Sequence, residues 1–328
     1  MKVALISDYK GLTDEGTRKT AHYYYEGLLK QHDVIHLNVR DIFSSAYWSK
    51  LRSFNPEIIH ILPGPTVKTF FYMKILKIVA PKAKTVISAL HPDLHPIFEG
   101  IVKYLKPDLM LVQSQATQQV FESLGCKTKF LLGGVDLQKF IPAENKLALR
   151  AKYSIPSDRP VILHVGSLNR LRNMEIFGLL ATRLDVKPLV IGNVSISADS
   201  YIVDFLKDSK CIVIRDYIQN IEEIYATADC YVFPVKDKRG AIDLPLSVME
   251  AMACNLPVVT TRFGALPYLF KPGGGFYYAD TSDEFVEAVE QAISNKNLVK
   301  TREAVAPYSW PIIVKQLVEI YMGVLESD

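Results

Sequence analysis

Short apolar runs alternate with amphipathic stretches along the whole chain. The runs are rich in Val, Ile and Leu, and most are followed by a polar loop and a helix-forming segment. This alternation predicts strands buried on both faces and separated by helices, which is typical of a doubly wound parallel sheet. The predicted strands cover residues 3–7, 33–39, 57–64, 84–91, 108–114, 129–136, 161–167, 187–193, 211–217 and 230–235.

The size and composition of the chain indicate a cytosolic protein of two domains. Its 328 residues exceed one typical domain, and 49% are hydrophobic against 22% charged. The four cysteines are widely spaced, which predicts reduced thiols and neither a metal site nor a disulfide framework. The chain begins with a predicted strand, so we expect no signal peptide and a cytoplasmic location. A net charge of +3 is too small to indicate nucleic acid as a partner, and no G-x-G-x-x-G motif is present.

The densest chemical pattern lies between Ala228 and Phe263, which is predicted to form a strand, a charged loop, a helix and a strand. Asp243 before Pro245 predicts the start of the helix, with the carboxylate as its cap. The N-terminus of such a helix suits a phosphate, and Glu250 within it could accept hydrogen bonds from two sugar hydroxyls. An ordinary βαβ unit without a ligand is the alternative interpretation.

This segment resembles the nucleotide-sugar-binding core of retaining glycosyltransferases of the GT-B fold, glycosyltransferase family 4 (glycosyl transferases group 1). That family has the pattern E-x7-E followed by AMA-x-G-x-PVV, and Glu250 in MEAMACNLPVV matches its second glutamate. Ile242 occupies the position of the first glutamate. The resemblance implies two Rossmann-like doubly wound domains facing a cleft. It also implies transfer of a hexose from a nucleotide-diphosphate sugar, with retention and with neither a metal nor another cofactor.

Further positions are assigned through the same resemblance. GSLNRLRNME resembles the family's G-R-L-x(n)-K-G, whose two cations hold the donor diphosphate; Ser167 replaces the first cation, and Arg172 best matches the second. Tyr268 stands where the family has a glutamate. The implied catalytic residues are His91, Arg172 and Glu250. The implied donor-binding residues are Gly16, Gly166, Arg170, Asp216, Tyr217, Ile218, Asp243 and Leu246.

Several of these assignments have a plain structural alternative. His91 could be structural, and His95 and Asp93 in the same loop are weaker candidates for the active site. Arg170 and Arg172 could be solvated loop residues, and Gly16 could lie in a surface turn.

Domain boundaries also come from the resemblance. Residues 1–143 would form the acceptor-side domain and residues 144–307 the nucleotide-sugar-binding domain, with a final helix, 308–328, packing back on the first. Ser114 is predicted to cap a helix in the first domain, and Ser282 is predicted to cap a helix in the second.

Basic residues are in excess in the first half, above all between Lys68 and Lys84. This basic amphipathic stretch could be a solvated helix face, or a peripheral contact with the inner face of a membrane, extended by Tyr47 and Trp48. The acceptor would be a carbohydrate or a lipid-linked molecule.

Three functional hypotheses follow. The first is an active glycosyltransferase with altered contacts to the donor sugar, in which Asp243 or backbone N–H groups replace the missing glutamate. The second is a catalytically weak or inactive nucleotide-sugar-binding protein, which Ile242, Ser167 and Tyr268 favour. The third is a related GT-B enzyme such as a sugar-nucleotide epimerase, which the match around Glu250 makes the weakest.

Overall fold

The computed structural model describes residues 1–91 and 99–327. These residues divide into two compact units. The N-terminal unit contains Met1–Gly133, Ile242–Leu244 and Trp310–Asp328, and the C-terminal unit contains Gly134–Ala241 and Pro245–Ser309.

The N-terminal unit is built on a six-stranded parallel sheet of order β2-β1-β3-β4-β5-β6. Its strands are β1 (Lys2–Ser7), β2 (Asp33–Asn38), β3 (Ile58–Ile61), β4 (Lys84–Ala89), β5 (Leu109–Val112) and β6 (Thr128–Phe130). Its helices are α1 (Gly16–Leu29), α2 (Ser45–Phe54), α3 (Val67–Val79), α4 (Glu99–Val102), α5 (Gln115–Ser123) and, at the end of the chain, α14 (Trp310–Glu326). Its core joins alternate residues of these strands to α2, α3 and α5.

The C-terminal unit has a second six-stranded parallel sheet, of order β12-β11-β10-β7-β8-β9. Its strands are β7 (Val161–Gly166), β8 (Lys187–Gly192), β9 (Ile212–Ile214), β10 (Cys230–Phe233), β11 (Val258–Thr260) and β12 (Phe276–Tyr278). Its helices are α6 (Lys146–Lys152), α7 (Glu175–Arg183), α8 (Ser200–Asp208), α9 (Ile221–Thr227), α10 (Leu246–Ala253), α11 (Leu266–Leu269), α12 (Ser282–Ser294) and α13 (Thr301–Val305). The prediction of two doubly wound Rossmann-like units is confirmed.

Local sequence explains where several helices begin. Ser114 accepts a hydrogen bond from the Thr117 backbone N–H, so its predicted role as the cap of α5 is confirmed. In α12 the cap is Thr281, which forms a capping box with Glu284, whereas the sequence indicated Ser282. The threonine one residue earlier has both partners of the box in reach, and Ser282 becomes the first residue of the helix.

The last helix belongs to the N-terminal unit. Trp310 stacks on Tyr23 of α1 with ring centroids 4.7 Å apart, and the Tyr321 hydroxyl lies 2.6 Å from Nδ1 of His60 on β3. The boundaries at 143 and 307 taken from the sequence stay predictions. In the part of the chain that the structure describes, no helix has the length and apolar character needed to cross a membrane.

Candidate functional site

Arg172 folds back onto the end of β7 in the C-terminal unit. The strand ends at Gly166, and a 3₁₀ turn over Arg170–Arg172 follows, capped by the Asn169 side chain. A Cβ atom on Gly166 would overlap Nη1 of Arg172 and would lie 3.3 Å from Nε2 of His164. Glycine at this position therefore leaves the space that the guanidinium occupies.

The Arg172 guanidinium is a partly buried positive charge. Its Cζ lies 5.9 Å from the centroid of the Phe233 ring, and its buried Nε has no hydrogen-bond partner among the described residues. No carboxylate among the described residues forms an ion pair with it. Burial lowers the pKa of Arg172 to about 10. Because a charged N–H that is buried without a partner is costly, this geometry favours an anion beside Arg172.

His164 is a functional candidate that the sequence reasoning missed. It is fully buried in β7, and its Nδ1 lies 3.0 Å from the Val232 carbonyl oxygen. Since a carbonyl only accepts, Nδ1 carries the proton and Nε2 is an acceptor, which has no partner among the residues that the structure describes. Burial, and then the charge of Arg172, lower the pKa of His164 to about 3. The signal available in the sequence was a single polar residue within the apolar run VILHVG.

Glu250 lies inside α10, in the same unit, and is only 4% exposed. The Tyr225 hydroxyl donates to its Oε2 across 2.9 Å. Burial, followed by the charge of Glu250, raises the pKa of Tyr225 well above its ordinary value, so this hydroxyl stays a donor. Tyr231 is close enough to both Arg172 and Glu250 for both charges to act on its pKa, which burial raises. Arg172 and Glu250 thus both lie within electrostatic range of one buried tyrosine.

The predicted cap of α10 is wrong. The helix begins at Leu246 after Pro245, and no side chain caps it. The carboxylate of Asp243 instead accepts hydrogen bonds from the Ser114 hydroxyl at 2.7 Å and the Thr117 hydroxyl at 2.5 Å, at the start of α5. The buried hydroxyls of α5 are the partners of this carboxylate because residues 242–244 pack within the N-terminal unit.

Ile242 contacts the N-terminus of α1. Its side chain is 7% exposed, and its Cδ1 lies 3.0 Å from the position of a Cβ atom on Gly16. Gly16 is the first residue of α1, and Glu15 before it provides no side-chain cap. The space beside Gly16 is therefore filled by an apolar side chain of the same unit, and a role of Gly16 at the donor stays a prediction.

The remaining predicted residues are placed as follows. His91 follows β4 and is partly buried, whereas Asp93 and His95 lie outside the described residues. Arg170 is exposed; its Nε donates to Asp199 at 2.9 Å and its Cζ lies 5.0 Å from the Tyr201 ring centroid. Asp216, Tyr217 and Ile218 follow β9, with Asp216 and Tyr217 exposed and Ile218 partly buried, and Leu246 is the buried first residue of α10. Their roles at the donor stay predictions.

The basic stretch forms helix α3 and presents a mixed face to solvent. Phe71, Ile75 and Ile78 are 50%, 47% and 73% exposed, and Lys68 and Lys74 are exposed beside them. The expected extension of this face by Tyr47 is wrong, because Tyr47 is 4% exposed and packs against Tyr72. The Trp48 indole N–H donates to the Ile42 carbonyl, and its ring packs against the core.

Two parallel sheets with flanking helices define a two-domain Rossmann-like protein, and solved structures share the fold. Sucrose-phosphate synthase from Thermosynechococcus elongatus matches with a TM-score of 0.82, at 15% identity, covering 100% of both chains. Anabaena HepE in complex with UDP and glucose matches with a TM-score of 0.73, at 16% identity, covering 98% of this chain and 100% of that one.

Residues 159–295 match the family described as Glycosyl transferases group 1. This match covers less than half of the chain and supports the resemblance to glycosyl transferases group 1 that the sequence predicted; membership of family 4 stays a prediction. A GDP-mannose-dependent monoacylated alpha-(1-6)-phosphatidylinositol monomannoside mannosyltransferase of Corynebacterium glutamicum is 26% identical, covering 65% of this chain and 61% of that protein. The Arabidopsis thaliana sulfoquinovosyl transferase SQD2 is 25% identical, covering 69% and 49%. The chain thus spans about half to three fifths of the length of these relatives.

Proposed function

We propose that the protein is a metal-independent hexosyltransferase that moves a hexose from a nucleotide-diphosphate sugar to a carbohydrate or lipid-linked acceptor, with retention at the anomeric carbon. The observation that carries this proposal is the partly buried guanidinium of Arg172, whose buried Nε–H has no hydrogen-bond partner among the described residues. A donor diphosphate supplies the anion that such a site lacks.

Arg172 would stabilise the diphosphate as it leaves. Negative charge grows on the leaving phosphate during transfer, and a fixed cation beside it lowers the barrier by several kcal/mol, to order of magnitude. The N–H groups at the start of α10, which no side chain caps, would support the same charge. His164 packs close to Gly166 and is neutral at pH 7, so it adds no second positive charge beside Arg172.

Glu250 would bind the ribose of the donor. A carboxylate that already accepts the Tyr225 hydroxyl is held in one orientation, and it can accept further hydrogen bonds from a pair of ribose hydroxyls. His91 is our candidate for orienting the transferred hexose. The names of the compared proteins mention both GDP-mannose and UDP, so both nucleotides are donor candidates.

A nucleotide-sugar-binding protein without catalysis is the alternative. Ile242 offers no hydrogen bond at the position of the family's first glutamate, and the Asp243 carboxylate is already bonded to Ser114 and Thr117. Replacement of the missing glutamate by Asp243 would require these two bonds to break.

Thermal-shift titrations with UDP- and GDP-sugars, coupled to a nucleotide-release assay with glycan and lipid acceptors, test the proposal. We expect stabilisation by one nucleotide series and release of that nucleotide. Arg172→Gln should abolish the shift, while Arg183→Gln, which alters an exposed pair with Asp283, should leave it unchanged. Binding without release would favour the alternative, and the absence of binding would overturn both.

We also propose that the exposed face of α3 contacts an anionic membrane surface. It combines three exposed apolar side chains, Phe71, Ile75 and Ile78, with the charges of Lys68 and Lys74. Such a face gains both from apolar burial and from attraction to anionic lipid headgroups. It would hold the enzyme close to a lipid-linked acceptor.

A further inference from the structure

A cavity lies within the N-terminal unit, and none of its lining residues is assigned to the donor. Its volume is about 370 Å³, and it lies between the edge strand β2, helix α1 and Lys50 of α2. This volume falls within the range of small-molecule sites. Because β2 has a neighbouring strand only on the β1 side, one flank of the sheet is open to a ligand here.

Two tyrosines flank a histidine in this cavity. The ring centroid of His36 lies 4.1 Å from that of Tyr9 and 4.8 Å from that of Tyr25. Tyr9 is 39% exposed, so part of its ring remains available to a ligand. Tyrosines give a large and rigid contact surface with a polar end, which suits a ligand that has both apolar faces and hydroxyls.

His36 contributes a neutral polar group to the cavity. Its Nε2 lies 2.7 Å from the Ser7 hydroxyl, and no hydrogen bond to its Nδ1 is made by the residues that the structure describes. Burial, and then the charges of His22 and Lys50, lower the pKa of His36 to about 4. The imidazole is therefore uncharged at neutral pH and can bond a hydroxyl.

The charges around the cavity are mixed. Arg18 lines it, but its guanidinium is already bonded to the Asp8 carboxylate and to the carbonyl oxygens of Asp8 and Leu12. The exposed side chains at its rim, Glu26 and Lys50, have opposite charges. A phosphate would lie near both the Lys50 ammonium and the Glu26 carboxylate, so this lining does not favour an anion.

We propose that this cavity is a binding site for a neutral carbohydrate of one or two sugar units. The tyrosine rings can pack against the apolar faces of a sugar. The uncharged imidazole of His36 and the charged groups of Glu26 and Lys50 can form hydrogen bonds with its hydroxyls. If the proposed glycosyl transfer is correct, the cavity would hold a sugar unit of a glycan acceptor. Carbohydrate binding itself does not depend on that transfer.

Saturation-transfer NMR and titration with maltose, cellobiose and sucrose test the site in the full chain. We expect at least one of these sugars to bind, and both Tyr25→Ala and Glu26→Ala to weaken it about tenfold, the effect of one or two lost contacts. Tyr104→Ala is the matched control, because Tyr104 is an 82% exposed tyrosine elsewhere in the same unit. It should leave the affinity unchanged.

Glucose 6-phosphate and inorganic phosphate separate sugar recognition from anion recognition. We expect the phosphorylated sugar to bind no more tightly than glucose. Binding of phosphate alone, failure of all three disaccharides, or equal losses in Tyr25→Ala and Tyr104→Ala would overturn the proposal. Glu26→Ala alters an exposed side chain, so its result stands even if Tyr25→Ala fails to fold. The affinity for the donor nucleotide should not change in Tyr25→Ala and Glu26→Ala. Failure of the carbohydrate site can therefore be distinguished from failure of the proposed donor site.

Discussion

Ser114 donates a hydrogen bond to the carboxylate of Asp243 across 2.7 Å, and so joins residues that are 129 positions apart in the chain. Thr117 donates to the same oxygen, and the Asp243 backbone N–H donates to the Leu90 carbonyl at 2.8 Å. The carboxylate completes the buried start of α5 from a segment that the sequence had assigned to the donor site.

Removal of this carboxylate should destabilise the protein. Asp243→Ala leaves two buried hydroxyl groups without their acceptor, which costs about 1–3 kcal/mol for an unsatisfied buried group. Urea denaturation measures the change in the free energy of unfolding. Asp237→Ala is the control, since Asp237 forms a pair with Arg239 on the surface. An equal and small effect of both substitutions would contradict the role assigned to Asp243.

A methyl group on Gly166 should displace Arg172 without removing its charge. We expect Gly166→Ala to raise the Kd for the donor nucleotide by about tenfold or more, since a charge-assisted hydrogen bond is misplaced. Isothermal titration calorimetry with UDP and GDP measures this. Gly323→Ala in α14 is the control, because a Cβ atom there meets no other atom within 4 Å. An unchanged Kd for the nucleotide in Gly166→Ala would show that Arg172 does not contact the diphosphate.

Substitution of Glu250 tests the placement of the ribose. Glu250→Ala should raise the Kd for the nucleotide by roughly 10-fold to 100-fold, because hydrogen bonds to a charged acceptor are lost. The deoxyribose form of the nucleotide should lose less affinity in this variant than the ribose form. Glu290→Ala, on the exposed face of α12, serves as the control. If both forms lose affinity equally, Glu250 does not bind the ribose hydroxyls.

Acid should destabilise the folded chain through its buried histidines. Burial lowers the pKa of His60 and His164 to about 3, while the unfolded chain binds these protons near the ordinary pKa of 6.5. The folded state therefore binds fewer protons between these values, and the free energy of unfolding falls with falling pH by about 1.4 kcal/mol per pH unit for each histidine. Full stability is present above pH 6.5.

Urea denaturation at pH values between 7 and 4 measures this slope. His164→Phe should be less stable at pH 7, because the Val232 carbonyl loses its donor, and should show a shallower dependence on pH. Replacement of the exposed His22 by Gln is the control. An unchanged slope in His164→Phe would show that this imidazole is protonated in the folded state.

Membrane binding should depend on the apolar residues of α3. In liposome flotation at low salt, we expect the protein to bind vesicles containing anionic lipid, and a double variant, Phe71→Ser with Ile78→Ser, to lose this binding. Leu147→Ser on α6 is the matched control, because Leu147 is 65% exposed in the other unit. Binding that persists in the double variant, or that occurs on neutral vesicles alone, would contradict the proposal.

The fold was predictable because nearly every buried strand is a continuous apolar run and the loops are polar. The site was predictable only in part. Glu250 and Arg172 each lie at a recognisable position in a predicted order of strand, loop and helix. The partners of Asp243, in contrast, come from a distant segment of the chain. The D-x-P spacing is typical of a helix cap, so Asp243 was predicted to be one. No pattern in the sequence indicates that its carboxylate accepts hydrogen bonds from Ser114 and Thr117 instead.

His164 and Tyr225 show a second limit. His164 lies in an apolar run and Tyr225 at an apolar position of the amphipathic helix α9, so the sequence favours a plain core position for both. The atoms that they present towards Arg172 and Glu250 are decided by the packing of β7, α9 and α10. The exposed face of α3 was predicted from its basic and amphipathic pattern, but the burial of Tyr47 depends on its contact with Tyr72.

Residues 242–244 belong to the N-terminal unit although both of their neighbours along the chain belong to the other. A chimera that joins the first half of this chain to the second half of a relative at a single junction would replace residues 242–244. The start of α5 would then lose its bonds to Asp243. Any such exchange has to carry these three residues, together with the terminal helix, as part of the first half.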